Sequence, residues 1–285
     1  MINKLCRPAV WMGVVLMLAP VVRSEPAETL PFVPEEASME VLLDYARRFG
    51  STKEKRVARR AARAELFNRG TNALSFLMTR APIKNNGLQM LIFELAWQKL
   101  PGEEAGPVLF NFVQAPDVAT RKTAIFLLGG TDLAAYAPQI VFGLDHEKTA
   151  GATMRTLGKW GYDAAVPRIT EFVDDTNERR RILAVNALGD IGDPVSIPVL
   201  IDATGDPMFT VRKAAARALV RYGKIAERPV LAVLRDADRT SQRELIGVLG
   251  ELGGRRSLRA LRKLNPDDPM SRGDIGRAIQ AIEKR

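Results

Sequence analysis

A leucine returns along this chain at Leu66, Leu95, Leu128, Leu157, Leu188, Leu219 and Leu249, and Ile279 extends the series. The intervals are 29, 33, 29, 31, 31, 30 and 30 residues. So regular a period marks stacked supersecondary units, each too small to bury its own apolar face and each completed by its neighbours. It points to one elongated core rather than to separate globular domains in this chain of 285 residues. An apolar content of 46% can supply such a core, and aromatic residues at only 6% suit helices packed closely through Ala and Leu.

Other positions keep step with the leucine. Arg59, Arg121, Arg181, Arg212 and Arg272 precede it by seven residues, and Gly70, Gly161, Gly192, Gly223 and Gly253 follow it by four. Pro138, Pro167, Pro198 and Pro229 follow by ten, and Met78, Ile140, Ile169, Leu200, Leu231 and Leu261 by twelve. Ile182, Ala184, Val185, Leu188 and Gly189 have the spacing of one apolar helical face. Gly192 falls where that helix should end in a left-handed turn, and Pro198 falls in the first turn of a second helix, where a missing N–H is harmless. One unit therefore reads as helix A, a turn, helix B and a turn.

Gly189 and Gly192 are too close together for a phosphate-binding loop, lack a following Lys-Ser/Thr, and recur as Gly158 with Gly161 and Gly250 with Gly253. They read as helix ends. Asp175 stands six residues before Arg181, and Asp206 six before Arg212. Their recurrence makes Arg121, Arg181, Arg212, Asp175 and Asp206 a structural ladder, arginine to aspartate or to loop carbonyls, tying neighbouring repeats together.

The segments around Val211-Arg212-Lys213-Ala214-Ala215-Ala216-Arg217-Ala218-Leu219, and around Arg181 through Ala184, Val185, Leu188, Gly189, Asp190, Gly192 and Pro194, resemble HEAT repeats. They are most similar to the short variety first described in phycobilisome lyases. The resemblance covers residues 55–285 and is strongest over 118–265. Its first two units are degenerate: Lys99 replaces the register glycine, and two residues are added before Pro107. It implies an all-α fold, a right-handed, armadillo-like α-solenoid of about seven to eight helix pairs, with A helices on the convex side and B helices lining the concave side. It does not carry lyase activity with it, since one fold serves unrelated functions.

The first 24 residues read as a signal peptide: Lys4 and Arg7, then an apolar run over residues 9–22 broken by Pro20, then Val22-Arg23-Ser24 before a cleavage point at Glu25. An uncleaved N-terminal membrane anchor is the alternative. Cleavage would lower the formal charge from +9 to +6 and remove Cys6, the one cysteine, leaving no disulfide to form. Export to the bacterial periplasm follows, with no membrane span after cleavage. Residues 25–37, rich in Pro and Glu, read as an extended linker. The solenoid occupies residues 38–285, with a capping helix at 38–54 starting after Ser38 and another at 270–285 closing the stack.

Conventional chemistry is missing from the sequence. His146 stands alone, no Cys remains after cleavage, and no HExxH, CxxC or GxSxG occurs. Asp174-Asp175 and Asp267-Asp268 fall in expected turns, where aspartate caps the next helix. The expectation is a chain that is not an enzyme and takes no cofactor or metal. Its function would be that of a protein-binding scaffold of the cell envelope, recognising a protein or peptide partner with B-helix residues Arg168, Glu171, Asp202, Arg235, Arg259 and Lys263. The alternative is a basic adaptor for an anionic envelope surface, lipid or polysaccharide. It draws on eight Lys or Arg within residues 44–63 and on Arg255, Arg256, Arg259, Arg262 and Lys263 without an intervening acid. These runs lack the interleaved aromatics that stack on bases, so nucleic acid is not an expected partner.

Overall fold

The computed structural model describes residues 37–47, 52–80, 86–264 and 269–285. The expected signal peptide, almost all of the linker, and Asp267-Asp268 lie outside the described residues.

The chain forms a right-handed α-solenoid. A first helix, α1 (Met39–Arg47), lies against α2 (Lys53–Asn68). Then follow α3 (Gly70–Thr79), α4 (Asn86–Glu94), α5 (Gly102–Phe110), α6 (Val118–Leu128), α7 (Ala137–Ile140) and α8 (Glu147–Lys159). The second half comprises α9 (Val166–Thr170), α10 (Glu178–Ile191), α11 (Ile197–Asp202), α12 (Phe209–Tyr222), α13 (Lys224–Val233), α14 (Arg239–Leu252), α15 (Arg255–Lys263) and α16 (Pro269–Glu283). From α2 onward the even-numbered helices are the A layer and the odd-numbered ones the B layer. Every register leucine is fully buried, and one continuous core runs from Ala37 to Ala278.

Small residues set the spacing of the A layer. A Cβ added at Gly158 would stand 2.9 Å from the Cα of Ala187, and one at Gly189 would stand 2.7 Å from the Cβ of Ala218. One at Gly250 would meet the Cα of Ala278 at 3.0 Å. Each glycine directly follows a register leucine, and each alanine directly precedes the next one. At these three junctions the A helices therefore touch backbone to backbone. At the α12–α14 junction these two positions are Val220 and Val248, and here the A helices pack less closely than at α8–α10, α10–α12 or α14–α16.

Side chains from one repeat also cap helix ends of the one before. Trp160 Nε1 donates to the Thr131 carbonyl at 2.9 Å, and the Tyr222 hydroxyl donates to the carbonyls of Leu188 at 2.9 Å and Asp193 at 3.0 Å. Left free, carbonyls at a helix C-terminus would need water or another donor.

The ladder arginines fold back on their own turns. Arg121 Nη1 donates to the carbonyls of Ala115 (2.7 Å) and Pro116 (3.1 Å), and Arg212 Nη1 to those of Asp206 (2.8 Å) and Pro207 (2.9 Å). Arg181 Nη1 reaches the Asp175 carbonyl at 2.9 Å, while its other nitrogens cross to the Asp206 carboxylate of the next repeat.

Several details depart from the sequence expectation. Gly70, Gly161, Gly192 and Gly223 take positive φ, but Gly253 has φ −70°. Glycine is needed there for space: a Cβ would stand 2.4 Å from the Leu249 carbonyl oxygen and 2.5 Å from the Ser257 Cβ. Pro229 sits inside α13 rather than in its first turn, because that helix begins directly after Gly223, where other repeats insert a 3-10 turn. The expected 38–54 helix spans two elements, since α1 ends at Arg47 and α2 starts at Lys53 with Thr52 as its cap. At the degenerate second unit, residues Leu95–Lys99 continue α4 as a π-helical turn, the usual way of absorbing an extra residue. Asp175 accepts the Asn177 N–H at 2.7 Å and pairs with Arg180, and the N-cap of α10 is Asn177.

Candidate functional site: a cationic cleft on the A-helix layer

A cleft of 680 Å³ crosses the A layer at α12, α14 and α16. It lies where Val220 and Val248 replace the glycine–alanine contact. Two lateral ion pairs frame it. Lys213 Nζ meets Glu244 Oε2 at 2.9 Å, and Arg243 Nε meets Asp274 Oδ2 at 2.7 Å. The two pairs are equivalent: each base lies six residues before a register position, and each acid five before the next. Arg277 also pairs with Asp274 from within α16. Arg212, Arg239 and Glu251 complete the charged lining, and Phe209 stands at the rim, 59% exposed. The guanidinium of Arg212 and the ammonium of Lys213 lie 5.6 and 5.3 Å from the Phe209 ring centre.

The six sequence-predicted partner residues are not brought together, and none lines this cleft. Arg168 in α9 is engaged with Asp145 at 2.5 Å and Glu171 at 3.7 Å. Asp202 ends α11, Arg235 follows α13, and Arg259 and Lys263 lie on α15, all four exposed. The cleft residues were missed because only the A layer's spacing opens the cavity. Two signals in the sequence pointed to them: valine at Val220 and Val248 where the α8–α10, α10–α12 and α14–α16 junctions carry Gly and Ala, and the in-register recurrence of Lys213 with Arg243 and of Glu244 with Asp274.

On the B layer, Glu227 of α13 ties to the next repeat, accepting from Ser257 Oγ at 2.6 Å and the Gly254 N–H at 2.9 Å. Burial alone would raise its pKa, but these hydrogen bonds outweigh burial and hold the carboxyl below its ordinary value. His146 caps α8, its Nδ1 accepting the Lys148 N–H at 3.1 Å. Among the described residues no group of three or more His, Cys, Asp and Glu could hold a metal ion, and no helix is long and apolar enough to cross a membrane.

Comparison with known proteins fits this geometry. The family model for HEAT repeats matches residues 138–220. Phycocyanobilin lyase subunit beta of Nostoc sp. is 37% identical over 115 residues, which is 39% of this chain and 57% of that protein. The chain thus spans little more than half the length of this curated relative. Among solved structures, Kap121p bound to Nup53p aligns with a TM-score of 0.52 at 13% identity, over 84% of this chain and 32% of that one. Escherichia coli YibA aligns with a TM-score of 0.50 at 20% identity, over 88% and 94%. These likenesses support the fold.

The lyase relative corrects the expectation that this chain is not an enzyme. That expectation rested on missing nucleophile, metal and acid–base motifs. A segment 37% identical to this chain nevertheless belongs to a lyase subunit, so the lack of such motifs in a repeat of this kind does not exclude a part in catalysis. The period, the interlocked A helices and the sequence match agree: the chain is an α-solenoid in which residues 138–220 match HEAT repeats and a 115-residue segment is similar to phycocyanobilin lyase subunit beta.

Proposed function

We propose that this chain is a protein-binding scaffold of the bacterial cell envelope that seats a partner against the cleft of α12, α14 and α16. The cleft carries this reading: it is an open cavity of 680 Å³ between A helices whose neighbours from α6 to α12 and at α14–α16 pack closely, with its charged walls fixed by inter-repeat ion pairs. Preorganised walls lower the ordering cost of binding. The solved complex of Kap121p with Nup53p supports the use of such a solenoid for holding a protein. The lyase relative supports a scaffold that holds its partner while chemistry is done on it. The envelope location rests on the leader-like residues 1–24.

The test is affinity capture of the chain, expressed with its own N-terminus and a C-terminal tag, from envelope extract at low and high salt. A discrete protein retained at high salt supports the scaffold. An N-terminus at Glu25 supports export with cleavage, and a retained Met1 supports the anchor.

A second reading, an anionic-surface adaptor, is favoured by the outer face of α15. Arg255, Arg256, Arg259 and Lys263 are all exposed there. It predicts capture of lipid or polysaccharide alone, lost as salt rises, because exposed charges are screened beyond about 10 Å at 0.1 M.

A further inference from the structure

We infer that the occupant of the α12–α14–α16 cleft is an extended acidic peptide segment of a partner protein, its carboxylates meeting Arg212, Arg243 and Arg277 and an apolar side chain covering Phe209. This rests on the scaffold reading and names the chemistry of its partner.

Charge comes first. The lining holds five cations, Arg212, Lys213, Arg239, Arg243 and Arg277, against three carboxylates. Two of those carboxylates are already taken. Glu244 is buried beside Lys213, and Asp274 is shared by Arg243 and Arg277, so that pair of arginines keeps a net positive charge. Arg212 is held by the carbonyls of Asp206 and Pro207, which orient its guanidinium without neutralising it. Its Nε is buried with no hydrogen-bond partner among the described residues. A carboxylate is the ligand such arginines are built to take, because it accepts two parallel N–H bonds.

Shape comes second. The lining includes Gly247, Gly250, Ala278 and Ala281. A Cβ at Gly247 would meet nothing within 4 Å. Small side chains let a main chain lie close to the helices, which suits an extended segment. Phe209 is the one large apolar side chain in the lining, too few for the apolar stripe of an amphipathic helix. A concave site between helices is also poorly reached by a flat lipid surface.

The test uses the full chain and a short fluorescein-labelled peptide of glutamates around one phenylalanine, read by anisotropy. The same peptide with lysines, and vesicles of phosphatidylglycerol, serve as comparators. The glutamate peptide should bind, and the lysine peptide should not. Arg243→Gln combined with Arg277→Gln should weaken binding about tenfold or more, as lost close charge pairs do. Gly247→Trp should abolish binding with a melting temperature no lower than wild type, and Arg259→Gln on the B layer should leave binding unchanged. Equal binding of the lysine peptide, or equal loss with Arg259→Gln, would overturn the inference. Vesicle binding that is lost in the Arg243/Arg277 variant would replace the peptide with a lipid headgroup. If Gly247→Trp fails to fold, Arg277→Gln, which leaves Asp274 paired with Arg243, decides alone. A chain that captures a discrete protein but ignores the glutamate peptide refutes this inference and leaves the scaffold standing. Failure of both removes both.

Discussion

Arg181 grips Asp206 with two nitrogens, Nε at 2.7 Å and Nη2 at 3.1 Å, across the junction between α10 and α12. The two side chains are only 11% and 9% exposed. Asp206 is also the turn residue whose carbonyl receives Arg212, so one aspartate links two successive ladder arginines. Removing either side chain leaves the other charge buried and unpaired, which costs about 3–5 kcal/mol. Arg181→Ala and Asp206→Ala should each lose that much in urea unfolding. The double variant should lose far less than the sum, because the orphaned charge is gone. Additive losses would show that the pair is not coupled.

The backbone contact between α10 and α12 makes Gly189 intolerant of a methyl group. Gly189→Ala should destabilise by about 1–3 kcal/mol through overpacking. Gly247→Ala meets open space on an exposed helical surface and should stabilise by up to about 1 kcal/mol through helix propensity. Thermal melts of the two variants should shift in opposite directions.

Glu227 should make the α13–α15 contact acid-sensitive. Its pKa in the folded chain is below the ordinary 4.5. Its contribution is therefore complete above the unfolded value and is lost as pH falls through the folded value. Wild type should be more stable than Glu227→Gln at neutral pH. The gap should narrow once pH drops below 4.5. A gap that stays constant down to strong acid would mean that the carboxylate charge is not what holds Ser257 and Gly254.

Trp160 donates its indole N–H to the Thr131 carbonyl from the next repeat. Trp160→Phe keeps most of the ring packing and removes the donor, so it should cost about 1 kcal/mol. A loss near zero in denaturant unfolding would show that water replaces the indole without penalty.

The repeat was legible because its signals recur in register. Pro198 in the first turn, Gly192 in a left-handed turn and Arg212 on turn carbonyls each follow from residues seen several times over. The local exceptions, Gly253 and Pro229, were not legible, because the same residue type serves a different need once its neighbours change. Gly253 is required by the approach of Leu249 and Ser257, and Pro229 lies deep in its helix because α13 starts early. The cleft was harder to read than either. It depends on the distance between helices thirty residues apart, where Val220 and Val248 act together, and on pairs such as Arg243 with Asp274, 31 residues apart. The likeness to lyase repeats was legible in the sequence, but a part in catalysis was not read from it, since a repeat module can take part in an enzyme without carrying a catalytic motif.

The most direct test places a photo-crosslinking benzoylphenylalanine at Phe209 on the cleft rim, and in a parallel sample at Arg259 on the B layer, with irradiation in envelope extract. Phe209 is already an exposed aromatic, so the replacement perturbs little. The cleft account predicts one discrete protein cross-linked from position 209, competed by the glutamate peptide, and none from position 259. Cross-linking from 259 alone would contradict it and move the binding surface to the opposite layer of the solenoid.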